Sequence, residues 1–355
     1  MDILYGINGT GDGHTSRGRA LAPRLTAKDD LSLSYLFSGR AAKYYKNMDA
    51  FPDFTTRDGL VIKQSQGGID FFDSAKEMIC GQHSLKKLFK DAANLPVHDY
   101  DLIITDFEPV TSLAARWRKA PHLGIAHQYA FHHSLPAGIN PWQLAMVTQA
   151  YSPVKNSFGL HWNDFGQNIL PPIFDAPIAD APEKGMILVY LGHEDLNDVV
   201  SLLSPLAHGY EFHIYHQDIQ SFDATSHKGL VLKPKSPVTF KQDMARCEGL
   251  ITNAGFVAPS EMIHLGRKLL VKPLEGQIEQ VSNMRALEYL GYGRGMARLD
   301  GGIIADWLQE KKAAKVCFPN VAAALADWIA QGDWDNQGAL KHELWQQTEI
   351  HHRLK

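Results

Sequence analysis

Apolar residues fall in short runs that alternate with segments of helical periodicity, and this alternation is laid out twice along the chain. The run Ile3 to Ile7 leads into a glycine-rich turn, Gly9-Thr10-Gly11-Asp12-Gly13, and a helical pattern follows from about Thr15 to Leu25. Strand, glycine turn and helix form the opening unit of a doubly wound α/β domain. Further strands are predicted at Leu31 to Phe37, Leu60 to Ile62, Asp101 to Asp106 and His122 to Ala126. Residues 84–93 place Leu85, Leu88, Phe89 and Ala92 on one helical face, with Lys86, Lys87 and Lys90 elsewhere. Arg116 to Lys119 closes a helix after Asp106.

Pro171, Pro172, Pro177 and Pro182 then interrupt the pattern. Proline at that density breaks regular structure and stiffens a connector. Strands resume at Met186 to Leu191, Glu211 to Tyr215, Gly229 to Leu232, Gly249 to Thr252 and Lys268 to Val271, with helices at 197–207, after Gly255 and at 277–290. Trp328, Trp334 and Trp345 lie in helical surroundings. The expected organisation is an N-terminal α/β domain over 1–165, a linker over 166–185, a second α/β domain over 186–325, and a helical tail over 326–355 that packs back on the first domain. Two such domains place a cleft between the carboxyl ends of two sheets, where loops and helix N-termini converge.

Composition narrows the function classes. The chain has 355 residues, 21% of them charged, and a formal net charge of −4, which argues against general nucleic-acid binding. Cys80, Cys247 and Cys317 are far apart and form no CxxC pair, so neither a disulfide framework nor a structural zinc site is expected. The N-terminus carries no secretory pattern, and no segment approaches the ~18 apolar residues of a membrane span. A cytoplasmic protein is the expectation.

Three constellations carry chemistry. The first is Gly9 to Arg17. Glycines permit close approach of backbone to a ligand, helix N-terminal N–H groups favour anions, and His14 can accept a proton from a hydroxyl. It can equally be a turn whose His packs or caps. It is not a dinucleotide fingerprint: the spacing is GxGxG, and Asp29 and Asp30 precede the second strand rather than end it. The second is Thr105-Asp106-Phe107-Glu108-Pro109, where one of the two carboxylates can hold the His14 imidazole in its tautomer, or the stretch is a turn in which Asp106 caps the following helix. The third runs from Asn253 to Asn283. A helix beginning after Gly255, with Pro259 in its first turn, offers a diphosphate site around Asn253, Ala254, Gly255 and Phe256. Glu261 one turn in suits a ribose diol, and Glu279, Gln280 and Asn283 suit sugar hydroxyls.

That third stretch resembles the donor region of GT-B glycosyltransferases, of the group holding the peptidoglycan N-acetylglucosaminyltransferase and the UDP-glycosyltransferases. Ser260-Glu261 looks like their ribose-holding Ser-Glu pair, Glu279-Gln280 before Asn283 like their sugar-contacting pair, and GTGDGH like their GxGH loop. GHTSR, DFEP and the proline linker together are similar to a bacterial and archaeal subfamily of these enzymes. The resemblance implies the GT-B architecture, with two Rossmann-like domains facing a cleft. It implies transfer of a hexosyl or N-acetylhexosaminyl group from a nucleotide-diphospho-sugar, expected to be a UDP-sugar, to an acceptor hydroxyl. His14 or Asp12 would be the base and Asp106, with Glu108, would orient it. Gly11, Gly13, Gly192 and His193 would join the donor site, and Arg17, His127 and Gln128 the acceptor side. Two Glu eight residues apart mark retaining GT-B enzymes; eight residues beyond Glu261, Glu275 and Glu279 stand Leu269, Asn283 and Leu287, so inversion is expected. Asp12 departs from the family's glycine, and Glu275-Gly276-Gln277 stands where a His is common.

No cofactor or metal is expected: backbone N–H groups replace a cation at the diphosphate, and the clusters His127, His132, His133 and His351, His352 lack a fixed ligand set. The lysines at 86, 87 and 90 are compatible with peripheral contact at the inner face of a membrane, and the acceptor remains open among lipid, glycan and small molecule. The competing readings are a nucleotide-sugar 2-epimerase and a non-catalytic nucleotide-sugar-binding protein.

Overall fold

The computed structural model describes residues 1–40, 42–45, 48–60, 64–65, 68–69, 85–219, 228–311, 313–332, 334 and 336–354. Residues 61 and 62 of the third expected strand, and Cys80, lie outside the described residues. The chain divides into two compact units. The first is Met1–Lys63, Asp70–Asp175 and Phe318–Thr348; the second is Gln64–Ile69, Ala176–Cys317 and Glu349–Lys355.

In the first unit the strands are β1 (Asp2–Asn8), β2 (Ser32–Ser38), β3 (Thr55–Arg57), then, after the short pair β4 (Gln64–Ser65) and β5 (Gly68–Ile69) of the second unit, β6 (Leu102–Asp106), β7 (His122–Ala126), β8 (Asn156–Leu160) and β9 (Ile169–Leu170). They form a parallel sheet in the order β3-β2-β1-β6-β7-β8-β9. Strand order reverses between β1 and β6, and the register there sets Ile7 opposite Asp106. The helices are α1 (Asp12–Thr26), α2 (Leu85–Asn94), α3 (Pro109–Arg118) and α4 (Trp142–Tyr151). A Cβ on Gly6 would stand 2.3 Å from Thr111 Oγ1, so only glycine in β1 lets α3 lie this close to the sheet. Helix α2 buries Leu88 and Ala92 against Val110, Ala114 and Ala115 of α3.

The second unit repeats the plan with β10 (Met186–Tyr190), β11 (Glu211–His216), β12 (Leu230–Pro234), β13 (Gly249–Asn253), β14 (Lys268–Lys272) and β15 (Arg294–Gly295), ordered β12-β11-β10-β13-β14-β15. Its helices are α5 (Leu196–Leu203), α6 (Pro237–Arg246), α7 (Val257–Leu265), α8 (Ile278–Leu290) and α9 (Gly301–Leu308). Here the order reverses between β10 and β13, with Tyr190 opposite Thr252. A mostly aliphatic core runs from Ile187 and Val189 to Trp307.

Three expected boundaries move. Helix α1 starts at Asp12 instead of about Thr15, so only Gly9 to Gly11 form the turn and His14 already lies in the first helical turn. The linker starts later than 166: β9 is an edge strand of the first sheet, and Pro171 to Phe174 are buried, so the exposed run begins at Asp175. The break at 325 falls inside α10 (Val321–Gln331), whose Val321, Ala322, Leu325, Ala326 and Ile329 form one buried face. That helix packs on α1, and Trp328 lies edge-on to Phe158 of β8 at 5.2 Å. Helix α11 (Gln337–Gln346) is fastened by Trp345 Nε1 donating to the Ile169 carbonyl at 2.6 Å. The tail then leaves the first unit: β17 (Glu349–His352) pairs antiparallel with β16 (Lys315–Cys317) of the second.

Candidate functional site

In each unit, loops at the order reversal bring together residues from two neighbouring strand ends, which is where open α/β sheets bind ligands. In the first unit these loops follow β1 and β6. His14 Nδ1 lies 2.7 Å from Asp106 Oδ1. Arg17, one turn further along α1, donates through Nε to Asp106 Oδ2 at 2.7 Å and through Nη2 to Oδ1. Arg17 Nη2 also comes within 2.8 Å of His14 Nδ1. All three side chains are buried, Asp106 completely. Burial works to raise the Asp106 pKa, but Arg17 and then His14 outweigh it, and the carboxyl stays below its ordinary range. Asp106 is therefore ionised. Nδ1 thus stands between an acceptor and a donor: with a proton on it, it donates to Asp106 and leaves the Nε2 lone pair to take another proton, and without one it accepts from Arg17 Nη2.

Phe107 follows Asp106 with φ of 52°, a left-handed conformation uncommon for a bulky residue. It turns the chain sharply, and its ring lies parallel to the His14 imidazole with centroids 6.2 Å apart. Tyr151 stacks on Phe107 at 4.9 Å. Such local strain clusters at functional positions.

Glu108 does not reach the imidazole. It is the N-cap of α3: its carboxylate accepts from Val110 N at 2.9 Å, Thr111 N at 2.7 Å, Thr111 Oγ1 at 2.7 Å and Ser38 Oγ at 2.5 Å. Burial, the largest influence, raises its pKa. With four donors on two oxygens it holds the β6–α3 turn in shape instead of acting on His14. Asp12 is exposed and its carboxylate faces Arg40 at 3.2 Å, so a cation opposes its use as a base. Gly11 precedes α1 and Gly13 lies within it. Arg17, expected on the acceptor side, is a buried partner of Asp106. His127 and Gln128, expected there too, are also buried; His127 Nδ1 is held at 2.8 Å by the Leu160 carbonyl, and its ring packs on Phe131. His132 in the same segment is pushed down to about 4 by burial and by His133, so it is neutral at ordinary pH.

In the second unit β13 ends at Asn253, and Ala254, Gly255 and Phe256 lead into α7. Among the described residues no side chain caps α7, and a Cβ on Gly255 would meet nothing within 4 Å, so the helix N-terminus is open above that glycine. Glu261 is buried one turn in, and Lys241 of α6 pairs with its carboxylate. The other polar residues of this stretch are used internally. Ser260 Oγ donates to the Phe256 carbonyl at 2.7 Å. Gln280 Oε1 accepts from Leu274 N at 2.9 Å, and Asn283 Nδ2 donates to the Ala254 carbonyl at 3.0 Å. Gln280 Oε1 and Asn283 Nδ2 thus each hold a loop beside the α7 N-terminus through a backbone partner. Glu279 stands half-buried in the first turn of α8.

Gly192 and His193, after β10, line a surface pocket with Tyr190, His216, Gln217 and Lys235. Next to them is a pair the sequence did not suggest. Glu194 Oε1 lies 2.6 Å from Lys272 Nζ, both side chains are buried, and Asn253 Nδ2 reaches the same oxygen at 3.4 Å. This ties the ends of β10, β13 and β14 together. Its members are distant in sequence, so spacing carries no signal for it. Among the described residues no group of three or more His, Cys, Asp or Glu is arranged to hold a metal ion, and no helix is long and apolar enough to cross a membrane.

A sequence-family model described as glycosyl transferase family 1 matches residues 1–140 and 145–311. No curated protein matches the chain. Among solved structures, the chain is similar to the glycosyltransferase SnogD from Streptomyces nogalater, at 14% identity over 93% of this chain and 99% of that one, with a TM-score of 0.56. Phytolacca americana UGT2, complexed with UDP-2-fluoro-glucose and pterostilbene, is 14% identical over 97% and 98% of the two chains, with a TM-score of 0.60. Acinetobacter baumannii MurG is 15% identical over 93% and 99%, with a TM-score of 0.54. The two parallel-sheet, Rossmann-like units are those of the GT-B fold.

Proposed function

The chain belongs to glycosyl transferase family 1, and from that premise we propose that it transfers a sugar from a nucleotide-diphospho-sugar to an acceptor hydroxyl with inversion and without a metal. The observation that carries this reading is the buried His14–Asp106 pair, 2.7 Å apart, at the order reversal of the first sheet. In the proposed step His14 Nε2 takes the acceptor proton as the acceptor oxygen forms a bond to the anomeric carbon. The bond from that carbon to the diphosphate oxygen breaks on the opposite face, and the electron pair leaves with the nucleoside diphosphate. Asp106 stabilises the imidazolium, as the carboxylate of a Ser-His-Asp triad does.

On the donor side, the uncapped N-terminus of α7 supports a diphosphate site, since N–H groups and helix dipole both favour an anion there. Gly255 leaves room for it and Asn283 fixes the loop that presents it. Glu261 is assigned to the ribose hydroxyls, which would share its carboxylate with Lys241. UGT2 is complexed with a UDP-sugar, and VinC, of similar fold at 13% identity, with DTDP. Both favour a pyrimidine nucleotide donor here.

The test has two stages. A thermal-shift panel of nucleoside diphosphates and nucleotide sugars should yield a stabilising ligand. With that donor, His14→Ala should reduce transfer or donor hydrolysis by at least 10²-fold, the lower range for general-base loss. No stabilising nucleotide would overturn the donor site; an unchanged rate in His14→Ala would overturn the base. An epimerase would interconvert the sugar without releasing nucleoside diphosphate into an acceptor reaction, which product analysis detects.

A further inference from the structure

Leu85, Leu88, Phe89 and Ala92 read as one apolar face of helix α2, and of these Leu88 and Ala92 are buried in the core. Leu85 is exposed and Phe89 is 47% exposed. Trp117, in the last turn of α3, is 48% exposed and packs on Phe89 with ring centroids 5.7 Å apart. Around these apolar side chains stand five exposed cations: Lys86, Lys87 and Lys90 from α2, and Arg116 and Lys119 from the end of α3. Among the described residues the opposing charge is smaller. Asp58 lies 3.4 Å from Lys87, and Asp91 is half-buried in α2. Arg118 donates to the carbonyls of Ala92 and Ala93, which locks the end of α3 to the last turn of α2. The aromatic pair and the basic rim are therefore one rigid surface carried by two helices.

We propose that this surface docks the protein on an anionic lipid bilayer. Trp and Phe half out of water favour the boundary between headgroups and acyl chains. Lys and Arg around them extend aliphatic stems over the apolar area and set their charges among anionic headgroups. The complementary charge selects an anionic membrane over a neutral one, and over an apolar protein groove, which would leave five cations desolvated. The inference stands independently of the transfer chemistry.

The test is co-sedimentation of the full chain with phosphatidylcholine vesicles, with and without phosphatidylglycerol, at low and high salt. Binding should require phosphatidylglycerol and weaken with salt. Removing Lys86, Lys87 and Lys90 together by Lys→Gln should lower partitioning roughly a hundredfold, at about fivefold per basic residue. Phe89→Ser with Trp117→Ser should lower it tenfold or more, with the melting temperature checked. Acyl chains carrying bromine should quench the protein's fluorescence, and the milder Trp117→Phe should lose part of that quenching while it still sediments. No partition to phosphatidylglycerol vesicles overturns the proposal. So does charge-dependent binding that persists in the Phe89/Trp117 variant without bromine quenching, since that is adhesion to a polyanion only.

Discussion

Replacing Asp106 by Asn isolates what its charge does. The side chain keeps its shape and one acceptor oxygen but loses the charge that faces both His14 and Arg17. Arg17 is almost fully buried, so the change leaves a guanidinium out of water without its counter-ion. Breaking a buried pair in this way costs about 3–5 kcal/mol, and the retained acceptor favours the lower end. At about 2–4 °C per kcal/mol for a domain of this size, the melting temperature should fall by about 10 °C. An amide NH₂ facing Nδ1 would also hold His14 in the other tautomer, so the rate of donor turnover should fall by about 10²–10⁴-fold. The double variant Asp106→Asn with Arg17→Gln separates the two effects. With the buried charge gone, stability should recover in part while the rate stays low. The assay is release of nucleoside diphosphate from the stabilising donor, alongside thermal denaturation. A rate within threefold of wild type in the single variant, or one restored in the double variant, would refute the reasoning and leave Asp106 as a counter-ion to Arg17.

Glu108→Ala should lower stability by about 2–4 kcal/mol, from loss of a cap and of acceptors for buried donors, while turnover at a permissive temperature changes by less than threefold; urea melts with matched activity assays check it. Asn283→Ala should weaken nucleotide binding about fivefold by loosening the Ala254 loop, seen by calorimetry as a change in affinity larger than the change in kcat. Glu261→Ala should weaken nucleotide binding at least tenfold; unaltered affinity would remove it from the ribose site. Because Asp106 is held below its ordinary range, its contribution to stability is complete above the unfolded value of about 3.9 and is lost as pH falls through the lower folded value. Acid unfolding of Asp106→Asn should therefore depend less on pH below about 4 than that of wild type.

The strands were legible because each is a short apolar run with a turn signal at its end, whereas the strand orders appear only in the folded sheets. The sequence suggested that His14 and Asp106 meet, and they do, but only folding reveals that Arg17 joins them through one shared carboxylate. The pattern DFEP offered two carboxylates, and the capping alternative fell to Asp106, whereas Glu108 is the cap. Pro109 at the first helical position decides between them, because it makes Glu108 the N-cap and leaves Asp106 at the strand end. On the donor side the sequence does not disclose which way the polar side chains turn. Ser260, Gln280 and Asn283 bond to backbone two elements away or one turn back, which residue type does not disclose. Lys241, Lys272 and Glu194 went unnoticed because isolated Lys and Glu on a polar surface and in an ion pair look alike in sequence.

The path of the chain has a consequence for how the protein is made. Helix α10, which packs on the back of the helix bearing His14 and Arg17, is supplied by residues 321–331, far downstream of the entire second sheet. A ribosome therefore releases everything that the second unit's sheet needs before it releases the last layer of the first. The N-terminal sheet must wait with part of α1 uncovered until residues 321–331 have emerged. A stop codon anywhere before Phe318 would thus disable the half of the protein that was translated first.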